Sequence, residues 1–306
     1  MNAAPCHEGG MNERTFIIGH SAMEAPPLPA ALHLVATPIG NLSDITIRAL
    51  QTLAAADVVA CEDTRVTRIL LDRYGMRRRL VAYHEHNAAE AGPKLIAALD
   101  AGQSVALCSD AGTPLVSDPG FRLVGQAVAA GHKVVPIPGA SSTLAALSIS
   151  GLPSDAFFFA GFLPAKDGQR RTRLEEVGRI PGTLIFFESP RRLAASLKAM
   201  AEVLGDRPAT VARELTKTFE EARRATLAEL ARHYAEADTP KGEIVVCVGP
   251  PLDAPAPEGQ DVDRLLLDLA RDMPAAKAAG EAAKMTGQPK QELFRRLVEL
   301  RETGRG

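Results

Sequence analysis

The chain has 306 residues, 46% of them hydrophobic and 24% charged, with a formal net charge of −2. That length predicts about two domains, and the composition predicts an ordinary soluble globular protein with a sizeable core. The charge excludes a global basic field for nucleic acid and leaves only local patches to look for, and no apolar stretch is long enough to span a bilayer.

The first thirty residues are rich in Ala, Pro and Gly and lack the basic-then-apolar order of a signal peptide. Residues 1–30 are therefore predicted to be a disordered tail, with Met11 and Met23 as candidate starts. From Leu32 onward apolar runs alternate with helical patterns. Strands are predicted at Leu32–Ala36, Asp57–Cys61, Leu80–Tyr83, Ser104–Cys108 and Lys133–Ile137. Between them, "NLSDITIRALQTLAAA" predicts a helix with Asp44 as its N-cap. Further helices are predicted at Thr64–Tyr74, Ala88–Ala101, Phe121–Ala130 and Thr143–Ser150. Parallel strands need such crossovers, so residues 31–150 read as an α/β domain.

"GLPSD" at Gly151–Asp155 punctuates the chain, and a second α/β or α+β domain is predicted over 151–249. Its strands fall at Ala156–Gly161, Thr183–Glu188, Thr210–Arg213 and Glu243–Val248, and its helices at Gln169–Val177, Pro190–Leu204 and Leu227–Ala237. A Pro-rich linker occupies 250–262. Within residues 263–303, helices are predicted at Asp263–Arg271, Ala275–Lys284 and Gln291–Arg301, and the helix, short Gly turn "MTGQPK" and helix is either a helix-turn-helix or a small packing hairpin. Cys6, Cys61, Cys108 and Cys247 form no C-x-x-C motif and read as reduced thiols rather than a disulfide framework or zinc site.

The loops between these elements carry the chemistry. "SDAGTPLVSDPG" (Ser109–Gly120) is either a turn or a backbone cradle for a ligand. It has Asp110 and no Lys or Arg, so a triphosphate is a poor fit and a ligand with donors or positive charge a better one. "TPIGN", "SDAGTP" and "PIPGASS" each follow a strand, where ligands of α/β sheets collect. In "CEDTRVTR", Glu62, Asp63, Arg65 and Arg68 are either a helix cap or an active-site cluster. His84 and His86 lie on one side of an extended chain but lack a third metal ligand, so substrate contact or a solvated loop fits better. Lys166, Arg170, Arg171, Arg173, Arg191 and Arg192 form either a solvated face or a phosphate-binding patch. "TVARELTKTFEE" puts Arg213, Glu214 and Lys217 after a strand, where a buried Glu214 paired with Arg213 is the purely structural alternative.

"TPIGNLSDIT", "EDTR", "SDAGTPLVSDPG", "PIPGASS", "GLPSDAFFFAGFLP", "FFESPRR", "ARELTKTFEE" and "KGE" occur in that order. In this the chain resembles the bacterial 16S ribosomal RNA 2′-O-methyltransferases of the tetrapyrrole-methylase superfamily, from about Leu32 to Val248. Its helical end resembles their helix-turn-helix extension. The resemblance implies an α/β, two-domain tetrapyrrole-methylase-like fold, each domain a sheet with flanking helices, plus a small C-terminal helical extension. It implies S-adenosylmethionine as cofactor, a decoding-site cytidine of 16S rRNA in the small ribosomal subunit as substrate, a homodimer and a cytoplasmic location. By position it assigns the cofactor to Pro38, Ile39, Asp110, Gly112, Thr113, Val116, Gly139, Ala140, Phe187, Ala212 and Glu243. Glu62 and Asp63 are the first candidates for a general base, then His84 and His86. Arg65, Lys166, Arg170, Arg171 and Arg191 are assigned to RNA phosphates, and no metal is implied. Two rivals are a small-molecule methylase of the same superfamily and a non-catalytic RNA-binding factor. The basic segment argues against the first, and the carboxylate-bearing loops against the second.

Overall fold

The computed structural model describes residues 14–115, 120–251 and 259–303. β1 (Thr15–Ile18) and β2 (Ser21–Glu24) form an antiparallel hairpin, which corrects the predicted tail over the described part of 1–30. Residues 1–13, with Cys6, lie outside the described residues. The hairpin has a local cause. Gly19, at φ +61°, opens a two-residue turn between "TFII" and "SAME". Phe16 is then fully buried, and Ile17 N–H donates to Tyr74 O at 2.8 Å.

The first half runs β3 (Leu32–Val35), α1 (Ile47–Ala55), β4 (Val58–Cys61), α2 (Thr64–Arg73), β5 (Leu80–Ala82), α3 (Ala88–Asp100), β6 (Val105–Cys108), α4 (Phe121–Ala129), β7 (Val134–Ile137) and α5 (Ser142–Ser150). Its strands form a parallel sheet in the order β5-β4-β6-β3-β7. Every residue of β4 and β6 is buried, as expected for strands covered on both faces. Cys61 and Cys108 are among them, free and buried, as is Cys247. Leu50, Leu53, Leu70 and Leu71 of α1 and α2 cover one face, and Leu95, Leu99, Leu123 and Ala127 of α3 and α4 the other. The neighbours β3 and β6 therefore send their following helices to opposite faces, which opens a crevice at their carboxyl ends. The N-cap of α1 is Thr46, whose side chain accepts from Ala49 N–H. Asp44, predicted for that role, instead sits in a 3₁₀ turn capped by Asn41.

The second half comprises β8 (Phe157–Phe162), α6 (Asp167–Val177), β9 (Thr183–Glu188), α7 (Leu193–Leu204), β10 (Pro208–Arg213), β11 (Glu221–Thr226), α8 (Leu227–Glu236) and β12 (Ile244–Val248). These strands form a mixed sheet, β11-β10-β12-β9-β8, parallel only between β8 and β9. β11 was not anticipated, because "EARRAT" is a polar edge strand with no apolar alternation. Leu174, Leu197 and Leu230 of α6, α7 and α8 cover one face of the sheet. Ala146 and Leu147 of α5, with Ile39, pack on the other against Ile185, Ala212 and Val245. That shared apolar layer makes the two halves one compact unit within Met1–Pro250.

A second unit lies within Pro251–Gly306. It consists of α9 (Gly259–Asp272), α10 (Ala275–Thr286) and α11 (Lys290–Thr303), packed through Leu266, Ala279, Leu293 and Leu297. α9 begins inside the predicted linker, because apolar residues at 262, 265, 266 and 269 already keep a helical period. The linker's residues 252–258 lie outside the described residues.

Candidate cofactor and substrate site

The loops after β3, β6 and β7 meet at one end of the first sheet. Thr37 and Gly112 exchange two backbone hydrogen bonds, of 2.9 and 3.0 Å. The Thr37 hydroxyl donates to Ser109 O at 3.0 Å, and the Thr113 hydroxyl to Ala140 O at 3.2 Å. Gly112 adopts φ +81°, and a Cβ there would lie 3.3 Å from Ile39 Cγ2. The convergence read from the sequence is thus present, and at Gly112 it depends on a residue without a side chain.

Two cavities open beside these loops. The first, of about 390 Å³, lies between the two sheets. Ile39, Thr113 and Thr143 line it from the first half, and Phe162, Phe187 and Glu188 from the second. Its size falls in the range of small-molecule sites. Phe162 and Phe187 meet edge to face, with ring centroids 5.5 Å apart. The hydroxyl of Thr143 is buried, and no group among the described residues hydrogen-bonds to it. Glu188 is 3% exposed, and its carboxylate accepts from Ser189 N–H at 2.8 Å and from the Ser196 hydroxyl. No cation is among the described residues that line this cavity. The second cavity, of about 220 Å³, is lined by Thr37, Pro38, Val66, Thr67, Asp110 and Lys217. Ile39, Ala111 and Glu243 line both.

Of the residues predicted to hold cofactor, Ile39, Gly112, Thr113, Phe187 and Glu243 line the first cavity, and Pro38 and Asp110 the second. Gly139, Ala140 and Ala212 are not among the lining residues of either. Ala140 receives the Thr113 hydrogen bond, a Cβ on Gly139 would lie 3.0 Å from that of Ala36, and the fully buried Ala212 pairs with Val245, which does line the first cavity. Val116 lies outside the described residues. Sequence reasoning missed Thr143 and Glu188, and placed Lys217 after a strand without giving it a role at the site. Of these, Glu188 and Lys217 had a usable signal, a charged residue at or just beyond the end of a strand.

Asp110 accepts the Asp63 backbone N–H at 2.9 Å and so ties the loop after β6 to the loop after β4. Asp63 is the N-cap of α2, accepting from Arg65 N–H at 2.8 Å and pairing with the Arg65 guanidinium. Those bonds hold its carboxyl down to about 2. As a general base Asp63 is therefore corrected: it is a cap and a weak proton acceptor. Glu62 moves the other way. Burial raises its pKa, the Asp110 and Asp63 charges add to the rise, and His84 opposes it. His84 is half-buried, its Nδ1 has no hydrogen-bond partner among the described residues, and its ring meets that of His86 at 6.1 Å. Among the described residues no group of three or more His, Cys, Asp or Glu is placed to hold a metal.

The predicted phosphate patch divides. Arg170 is buried and donates to Pro164 O at 3.3 Å and Ala165 O at 2.8 Å, so it fastens the loop before α6 and presents no charge to a phosphate. Arg171 bridges Asp167, at 2.8 Å, and Glu202. Both are corrections with one cause: the acids and carbonyls that occupy these cations are brought up by the fold. Lys166, Arg191 and Arg65 remain exposed. Arg213 pairs with Glu221 at 3.0 Å rather than with Glu214, which pairs with Lys217 at 2.8 Å.

Comparison with known proteins places these features in context. Residues 31–231 match the Tetrapyrrole (Corrin/Porphyrin) Methylases family, and residues 256–301 match the RsmI C-terminal HTH domain. A Ribosomal RNA small subunit methyltransferase I of Mesorhizobium japonicum is 71% identical, over 94% of this chain and 98% of its own length. One of the same name from Pseudomonas aeruginosa is 49% identical, over 88% of this chain and 96% of its own. The uroporphyrin-III C-methyltransferase of Thermus thermophilus, solved in complex with S-adenosylhomocysteine, is similar in fold. Its TM-score is 0.50 at 22% identity, over 71% of this chain and 96% of that one.

Proposed function

Since the chain belongs to the tetrapyrrole methylase family, and within it to the ribosomal RNA small subunit methyltransferases I, we propose that it methylates 16S rRNA of the small ribosomal subunit with S-adenosylmethionine as donor. The acceptor in this reading is the ribose 2′-hydroxyl of a decoding-site cytidine. The observation that carries the reading is the first cavity: its described lining mixes apolar side chains with hydroxyls and holds Glu188 and Glu243 but no cation, the partners of those two carboxylates, Arg192 at 3.4 Å and Lys217 at 3.1 Å, not being among the residues that line it. The donor carries a sulfonium and an ammonium, and such a lining suits both. The buried, unpartnered Thr143 hydroxyl supplies a waiting polar group, which a polar ligand would satisfy. Phe162 and Phe187 supply aromatic surface for a heterocycle. These residues, with Ile39, Gly112 and Thr113, would hold the donor.

When bound, S-adenosylmethionine supplies a methyl group already activated by its positive sulphur. The remaining work falls to the chain: orienting the acceptor hydroxyl, excluding water and accepting the hydroxyl proton. Glu62 is the proton acceptor in this reading: it precedes Asp63, whose N–H is bonded to the Asp110 carboxylate of the second cavity, and burial raises its proton affinity while Asp63 is held down by Arg65. Exposed Lys166 and Arg191 would contact RNA phosphates and fix the register of the substrate, while Arg65, exposed but paired with Asp63, would have to share its guanidinium to do so. The same reading includes a homodimer acting on ribosomes in the cytoplasm. The test is to incubate the protein and methyl-labelled donor with 30S subunits lacking the modification, then map the label. Label on the ribose of one decoding-site cytidine is the expected result. Label elsewhere, or none with donor bound, refutes it.

A further inference from the structure

The segment joining β10 to β11 is strained. Glu214 and Thr216 adopt φ +50° and +65°, a region costly for residues with side chains. The strain persists because the segment is held from two sides. On one side, the Thr216 hydroxyl accepts Asn41 N–H at 3.2 Å, and the Lys217 stem lies over Gly40. A Cβ on Gly40 would sit 2.5 Å from Lys217 Cγ, so the lysine stem occupies the space a side chain would take. On the other side, Glu214 N–H donates to Glu243 O at 2.9 Å, and Glu243 N–H donates to Glu214 Oε1 at 3.0 Å. Lys217 Nζ closes the arch, 2.8 Å from Glu214 and 3.1 Å from Glu243. Lys217 is also the one cation among the described residues that line either cavity.

The arch thus joins the loop after β3 of the first sheet to the strand end before β12 of the second. Those two segments carry Ile39 and Glu243, two of the three residues common to both cavities. We propose that Lys217 is a positioning residue for methyl transfer: it clamps the Gly40 loop to Glu243 and so sets the alignment of the two cavities where they meet. This rests on the reading above, in which the first cavity holds the donor, and takes the second, which shares Ile39, Ala111 and Glu243 with it, as the side from which the acceptor enters. Most of the first cavity's walls, including Thr143, Phe162, Phe187 and Glu188, lie outside the arch. Donor binding should therefore survive loss of the clamp, whereas a shift of about 1 Å between reacting groups can cost about 100-fold in rate.

The test compares Lys217→Met, which keeps the stem and removes the charge, with Lys217→Arg and with Glu214→Gln. Donor affinity is measured by calorimetry, single-turnover methylation on undermodified 30S subunits, and amide exchange at Asn41 and Glu243 by NMR. For Lys217→Met the expected result is a rate loss of about 10- to 100-fold with the donor Kd within about threefold, and faster exchange at those two amides. Lys217→Arg should recover much of the rate, because it restores the charge between the two glutamates. Glu214→Gln should reproduce the split between rate and affinity. Combined with Lys217→Met it should add little, since both cut the same arch. Wild-type rates in Lys217→Met, or equal losses of rate and donor affinity, overturn the proposal. If Lys217→Met fails to fold, the same split is required of Glu214→Gln. A wild-type protein that binds no donor sinks the methyltransferase reading instead, so the two failures are distinguishable.

Discussion

Glu62 and Asp63 are adjacent, but the fold gives them opposite proton affinities, and exchanging each for its amide separates their roles. Glu62→Gln keeps the shape of a half-buried side chain and removes its basicity. A positioned general base contributes about 10²- to 10⁴-fold, which corresponds to about 2.7 to 5.4 kcal/mol of barrier. Methylation by Glu62→Gln should fall by that factor while donor affinity holds. Asp63→Asn should behave differently. Asn caps a helix as well as Asp, its Oδ1 can still accept Arg65 N–H, and the Asp63 backbone bond to Asp110 is untouched. Its rate should stay within about threefold of wild type. The pH profile adds a second readout. The base works only when deprotonated, and burial raises the Glu62 pKa, so the acid limb of the rate should lie above the ordinary glutamate range. Glu62→Gln should flatten that limb. The stability sign is also fixed: a carboxyl with a raised folded-state pKa favours the folded state below its unfolded value, and that benefit is lost as pH rises through the folded value. Glu62→Gln should therefore melt no lower than wild type at pH 7. The assay is single-turnover methylation of undermodified 30S subunits from pH 5 to 9. Wild-type rates in Glu62→Gln, or collapse in Asp63→Asn, would refute the assignment.

Three further outcomes follow from particular contacts. Thr143→Val removes a hydroxyl that has no partner among the described residues, so the free protein should melt no lower; donor affinity should fall about 3- to 10-fold by calorimetry, as for one hydrogen bond. Unchanged affinity would remove Thr143 from the donor site. Phe16→Ala should cost about 3–5 kcal/mol in urea unfolding, because the ring is fully buried in the core under α1; a loss below about 1 kcal/mol would mean the hairpin is not docked. Lys166→Glu and Arg191→Glu should each weaken RNA binding and lower its salt slope by about one, whereas Arg170→Gln should lower the melting temperature and leave that slope unchanged. A slope change in Arg170→Gln would return that residue to the phosphate patch.

Much of this architecture is legible in the sequence, for identifiable reasons. Buried parallel strands such as "VVAC" and "VALC" announce themselves as continuous apolar runs, and each ends in Gly, Pro or Asp punctuation. The ligand-bearing loops were found because strand ends in α/β sheets are a small set of places. The failures are equally physical. The hairpin at Thr15–Glu24 was hidden by an Ala/Pro-rich neighbourhood, although Gly19 between two short apolar runs was a usable signal. β11 exposes only Arg223 and Arg224, consecutive residues on opposite faces, and has no alternation to read. Arg170 and Arg171 counted as free charge only until Asp167, Glu202 and two carbonyls were folded against them. The position of Lys217 just beyond a strand was readable, but its contacts were not, because Gly40 and Glu243 come from distant parts of the chain.

The paired bonds between Thr37 and Gly112 are complete within the protein itself. A guest arriving there meets a rim already set, with little slack for it to take up at those two strands' ends. Its capture should consequently show a modest heat-capacity change, of the size given by the guest's own desolvation rather than by folding of the rim.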